Sequence, residues 1–139
     1  MIRRQFYQAL CGAVATLFGI KSATPIETMI LNGEEKLFSV NGKLVRIEQP
    51  KRIKYYKDGQ FHRENGPAIT NTNGTELWYV NGKRHRVDGP AITQLDGSKY
   101  WYFNNRLHRE DGPAVEWNGG LSKAWYTHGH FIESSGFGP

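Results

Sequence analysis

The chain is expected to be mostly β, an elongated antiparallel meander of stacked β-hairpin repeats of about 23 residues, with one α-helix at the N-terminus. Three observations predict this fold. A long segment of nearly fixed wording recurs at a constant interval. Asn-Gly and Asp-Gly pairs punctuate the chain. The runs between them are short, aromatic and β-branched.

The recurrence is clearest at His62, His85 and His108, which stand 23 residues apart. Their surroundings move with them. Tyr56-Lys57-Asp58-Gly59 precedes His62-Arg63-Glu64-Asn65-Gly66-Pro67-Ala68-Ile69, and Trp78-Tyr79-Val80-Asn81-Gly82 precedes His85-Arg86-Val87-Asp88-Gly89-Pro90-Ala91-Ile92. Trp101-Tyr102-Phe103-Asn104-Asn105 precedes His108-Arg109-Glu110-Asp111-Gly112-Pro113-Ala114-Val115 in the same way. A period of this size marks units that cannot bury an apolar face alone and must stack on a neighbour. Residues 26–139 are therefore read as one repeat domain, with regular copies at about 55–70, 77–93 and 100–115. Degenerate copies at about 37–50 and 124–133 flank them, as the ends of an open stack require. The upstream one has Val45 where the histidine should be.

The N-terminal segment, residues 1–25, reads differently. Arg3-Arg4 precede Gln5-Phe6-Tyr7-Gln8, and Ala9–Ile20 is apolar or small throughout. A helix over that run would be roughly 18 Å long, short of the ~30 Å hydrocarbon layer, which argues against a transmembrane span. Two readings compete. One is a retained amphipathic helix that anchors the chain, with Phe6, Leu10, Val14 and Leu17 on one stripe. The other is an export signal, since Arg3-Arg4-Gln5-Phe6 partly resembles a twin-arginine sequence. Ile2 and Tyr7 depart from that pattern, and Lys21-Ser22-Ala23 is a poor cleavage site.

Pro25 ends any such helix, and Ile26–Ile30 is expected to be a short strand. Two-residue hairpin turns are expected at Asn32-Gly33, Asn41-Gly42, Asp58-Gly59, Asn73-Gly74, Asn81-Gly82 and Asp96-Gly97, because such turns need positive φ at both central positions. Asn104-Asn105 occupies the equivalent place in the third copy. Glu76–Val80 and Lys99–Phe103 read as strands, with alternation placing Trp78 and Val80 on one face and Leu77 and Tyr79 on the other. Two strands and two turns per copy give about eight to ten short strands in all.

The chain carries 18 Lys and Arg against 13 Asp and Glu, a formal charge of +5. The basic residues are interleaved with acids rather than gathered on one element, which argues against nucleic acid as the main partner. Cys11 is the only cysteine, so neither an internal disulfide nor a cysteine zinc site is available.

The recurring motif is the most tempting site. Stacking would bring His62, His85 and His108 into one file and Arg63, Arg86 and Arg109 into another, suited in principle to a metal ion or an anion. A device present in every copy is better explained by packing, because a catalytic centre needs to occur once. On this reading the histidine bonds a backbone carbonyl or a neighbouring acid, and Asp88 closes a turn. Gly66, Gly89 and Gly112 adopt special φ, and Pro67, Pro90 and Pro113 fix the next residue. No catalytic, cofactor or metal-binding set is assigned.

The Trp-Tyr-x-Asn-Gly-Lys and His-Arg-x-Asp-Gly-Pro-Ala wording resembles divergent MORN-type repeats, as found in uncharacterised proteins of bacteriophages and other large DNA viruses. The resemblance spans about Leu37–Ile132 and is close over Tyr55–Val115. It implies a single-layer twisted sheet acting as an interaction platform without catalysis. The His-Arg half departs from ordinary MORN repeats, so their lipid-binding role does not transfer. The expected function is a non-enzymatic module binding a protein partner, as a structural or accessory subunit of a viral particle or larger assembly. The alternatives are an exported envelope protein or a binder of an anionic surface such as lipid, polysaccharide or nucleic acid. A virion or cytoplasmic location would go with a retained N-terminus, and the cell envelope with a signal.

Overall fold

The computed structural model describes residues 6–7, 27–32 and 34–136, and its regular structure is antiparallel β apart from a 3-10 turn at Asn118–Gly120. The strands are β1 (Phe6–Tyr7), β2 (Glu27–Asn32), β3 (Glu35–Val40), β4 (Lys43–Gln49), β5 (Arg52–Lys57), β6 (Gln60–Phe61), β7 (Ile69–Asn71), β8 (Glu76–Leu77) and β9 (Tyr79–Val80). They continue as β10 (Lys83–Arg84), β11 (Ile92–Thr93), β12 (Lys99–Tyr100), β13 (Tyr102–Phe103), β14 (Arg106–Leu107), β15 (Val115–Trp117), β16 (Ser122–Thr127) and β17 (His130–Ser135). The principal sheet follows the order β1-β2-β3-β4-β5-β7-β8-β11-β12-β15-β16-β17. Strand β6 pairs with β5, and β9–β10 and β13–β14 form two small ladders of their own.

The sheet is a meander, as expected, but the aromatic runs are not continuous strands. Leu77 belongs to the principal sheet and Tyr79 to a separate hairpin, with Trp78 at the break. The expected strand is thus split in two at Trp78, and the strand pieces number seventeen among the described residues. The reason is that each run serves two ladders. The Trp78 amide donates to the Ala91 carbonyl at 2.7 Å, and its own carbonyl accepts the His85 amide at 3.2 Å. Tyr55 does the same with Ala68 and His62, and Trp101 with Ala114 and His108. Proline just before each of these alanines has no N–H to give, so pairing resumes at the alanine, and in the second copy the Ala91 amide donates to the Tyr100 carbonyl at 2.9 Å.

Turns along the two edges differ in kind. Asn41-Gly42, Asp58-Gly59, Asn81-Gly82, Asn104-Asn105 and His128-Gly129 all have positive φ at both positions, near 50° and then between 66° and 88°. This is the two-residue turn whose twist matches the flanking strands. Asn73-Gly74 and Asp96-Gly97 depart from expectation, since only the glycines have positive φ, 85° and 80°. There the Asn73 Oδ1 accepts the Thr75 amide at 3.0 Å and the Asp96 Oδ1 accepts the Ser98 amide at 2.9 Å. That side-chain bond holds the Asx residue in ordinary φ and makes a three-residue loop closed by Asn71 N–H to Thr75 O, 3.0 Å.

The core is thin. Among the described residues the buried apolar side chains are Ala68, Ile69, Ala91, Ala114, Val115 and Ala124. Each alanine methyl contributes on the order of 0.8 kcal/mol, so burial cannot be the main tie between copies. Hydrogen bonds and stacked side chains must supply much of it.

At the N-terminus, Phe6 and Tyr7 pair with Ile30 and Met29 as strand β1. Phe6 is therefore not part of a helical stripe: an aromatic pair of high β-propensity continues the sheet beside β2. Leu10, Val14 and Leu17, the rest of the expected anchor, lie outside the described residues, as do the turn glycine Gly33 and the segment read as an export signal. Among the described residues no helix is long and apolar enough to cross a membrane.

Candidate functional site

The recurring motif forms at the break between ladders. Each histidine follows its hairpin directly, which points its ring at the turn of the next copy. The Nδ1 atoms of His62, His85 and His108 accept the backbone amides of Asn81, Asn104 and His128 at 3.0, 3.3 and 3.3 Å. The expected bond to a carbonyl or to a neighbouring copy's acid is not what forms. An amide is the partner because the first turn residue, at φ near 50°, has its N–H free of the hairpin ladder. Accepting at Nδ1 leaves the proton on Nε2, which faces an acid of its own copy: Glu64 is 3.5 Å from His62 Nε2, and Glu110 is 3.7 Å from His108 Nε2. The middle copy has Val87 at that position.

The imidazoles do not converge. Phe103 lies between two of them, with ring centroids 4.7 Å from His85 and 6.0 Å from His108. His108 also stacks on His128 at 4.1 Å. Among the described residues no three His, Cys, Asp or Glu side chains are grouped as a metal site would need.

The arginines are held just as firmly. Arg63, Arg86 and Arg109 lie over the rings of Tyr55, Trp78 and Trp101, with Cζ 4.0, 3.9 and 4.2 Å from the centroids. Each donates to the carbonyl of its own proline, Pro67, Pro90 or Pro113, at 3.3–3.4 Å. The Nε atoms of Arg86 and Arg109 donate to Asp88 and Asp111 at 2.9 Å. That bond, and then the guanidinium charge, hold both carboxyls below their ordinary range. Arg109 also reaches Glu116 at 3.4 Å.

Two of the three glycines have a different reason from the one expected. Gly89 and Gly112 do not have positive φ; a Cβ on either would come 3.0 or 3.1 Å from the guanidinium carbon of Arg86 or Arg109. Gly66 does have positive φ, 157°, and a Cβ on it would also come 2.9 Å from Arg63 Cζ. The arginine is thus clamped between an aromatic ring and a bare glycine backbone.

The flanking segments preserve part of this device. Arg46 Cζ lies 3.8 Å from the Phe38 centroid, the same eight-residue offset as in the other three copies. Val45, in the histidine's place, falls at a register shift between Phe38 and Ser39. Ile132 takes that place in the last segment, at a shift between Trp125 and Tyr126. In both, a β-bulge stands where the second and third regular copies split their strand. Val45 offers no acceptor, and the two turns are tied through side chains, Lys43 Nζ donating to Asp58 Oδ1 at 2.6 Å.

The aromatic platform under each arginine and the turn amide over each histidine were not assigned from the sequence. The first had a signal in the constant eight-residue offset; the second had none, since an amide carries no residue type. No family model matches the chain, and neither a curated protein nor a solved structure does.

Proposed function

We propose that the chain is a non-catalytic β-repeat module that binds another protein, as a structural or accessory part of a larger assembly. One observation carries this reading: the recurring histidines and arginines are occupied by bonds within and between copies, while Val87, Leu95, Phe103, Leu121, Phe131 and Ile132 are exposed. The imidazole Nδ1 atoms and the guanidiniums of the motif are engaged, and apolar surface that contact could use is free. An anionic surface held by the arginines is a weaker reading, because each guanidinium would have to leave its ring and its proline carbonyl.

Affinity purification of the tagged chain, followed by cross-linking and mass measurement, tests the proposal. The expected result is a stoichiometric protein partner. A monomer that retains no partner and turns over a substrate would refute it.

A further inference from the structure

Resting on that reading, we propose that the groove between the second and third regular copies is the partner's docking site, and that it receives an extended peptide carrying lysine or arginine beside an aliphatic residue. The open groove holds about 670 Å³ and is lined by Trp101, Phe103 and Val87, by Gly89-Pro90 of the second copy and by Glu110-Asp111 of the third.

The copies themselves show which positions are free to carry individual chemistry. The packing residues, His, Arg, Gly, Pro and Ala, are the same in all three, because each copy must meet its neighbour in the same way. Of the lining positions that differ between copies, two change most in chemical character. One reads Lys57, Val80, Phe103, and the other reads Glu64, Val87, Glu110. Only between the second and third copies do Phe103, Val87 and Glu110 come together; one step earlier the same places hold Val80, Glu64 and Val87. Neither Val87 nor Phe103 is needed for the histidine and arginine bonds, yet both present apolar surface, 83% and 42% exposed.

The charge that faces solvent here is negative, against the chain's net +5. The side chains of Asp88, Glu110 and Asp111 are 80%, 87% and 84% exposed, whereas Arg86 and Arg109 are 23% exposed and lie on their rings. Asp88 and Asp111 each use Oδ1 for the arginine, and a carboxylate has acceptor capacity left for a second donor. Glu110 is 3.7 Å from His108, too far for a hydrogen bond, and is free to pair with a guest. A lysine or arginine stem can lie along Val87 and Phe103 while its head reaches these carboxylates, and an adjacent aliphatic residue covers the remaining apolar floor.

The test uses the full chain and a fluorescein-labelled peptide with two lysines and two valines among glycines and serines. Two comparison peptides carry glutamate in place of lysine, or serine in place of valine. Anisotropy should show binding of the lysine-valine peptide only, weakened about tenfold or more by Val87→Ser combined with Glu110→Gln. Both side chains are exposed, so the melting temperature should not move, and Leu95→Ser on the opposite edge should leave binding intact. Equal affinity for the double variant, equal binding of the glutamate peptide, or no binding of the lysine-valine peptide overturns the groove assignment. If the protein partner co-purifies equally with parent and double variant, the groove is wrong and the protein-binding reading stands. If no partner co-purifies with the parent, that reading fails by itself.

Discussion

A methyl group placed on Gly89 would stand 3.0 Å from the Cζ of Arg86, a tight contact that requires the guanidinium to give by a few tenths of an ångström. Gly89 has ordinary backbone geometry, so alanine there should be favoured by the lower entropy of the unfolded chain, by about 0.4–1 kcal/mol. The arginine decides otherwise. Gly89→Ala shifts the guanidinium over Trp78 and strains its bonds to Asp88 and Pro90, and the expected outcome is a net loss of about 1 kcal/mol in urea unfolding. In an Arg86→Ala background the same substitution should be neutral or stabilising. A cost that persists unchanged there would mean that Gly89 is required for something other than room for Arg86.

Removing a histidine acceptor should loosen one joint of the stack. His62→Leu leaves the Asn81 amide without its partner, for an expected loss of about 1–2 kcal/mol. Amide hydrogen exchange gives the more specific readout. Protection at Asn81 should fall while that at Asn104, held by His85, stays within a few-fold of the parent.

The turn geometry yields a third prediction. Gly82 has φ of 73°, a conformation that a branched side chain tolerates poorly, so Gly82→Val should cost about 1–2 kcal/mol. Melting identical to the parent would contradict the placement of this hairpin.

Acid should weaken the fold through Asp58, Asp88 and Asp111. Bonds from Lys43, Arg86 and Arg109, with the charges of those groups, hold the three carboxyls below their ordinary value of 3.8. A carboxyl depressed on folding contributes stability that is fully present above its unfolded value and is lost as pH falls through its folded value. The loss should therefore begin below about pH 4 and deepen towards pH 2. Urea midpoints measured across that window should fall less steeply for the Asp88→Asn, Asp111→Asn double variant. Parallel curves for the two chains would remove these carboxylates from the account.

The repeat, its period and four of the five turns with two positive φ values were legible because each depends on residue type at fixed spacing. Asn and Gly announce positive φ, and recurring words announce stacking. The three-residue loops at Asn73 and Asp96 looked the same in sequence, since an Asx-Gly pair fits either turn. The choice was made by whether the side chain bonds an amide two residues ahead. Phe6 was misread for a related reason: an aromatic pair followed by an apolar run has helical spacing, but β2 offers it an edge, and long-range pairing overrides local pattern.

By itself the sequence determined that the copies are equivalent and that the recurring histidine, arginine, glycine and proline act together. Composition and spacing suffice for that, because identical units impose identical contacts. Tertiary structure alone decided what each one touches. His85 meets an amide of the next copy, Arg86 meets a ring eight residues back, and Gly89 makes room for that arginine. A backbone amide and an empty space have no letter in a sequence, and both become visible only when neighbouring copies are packed against each other.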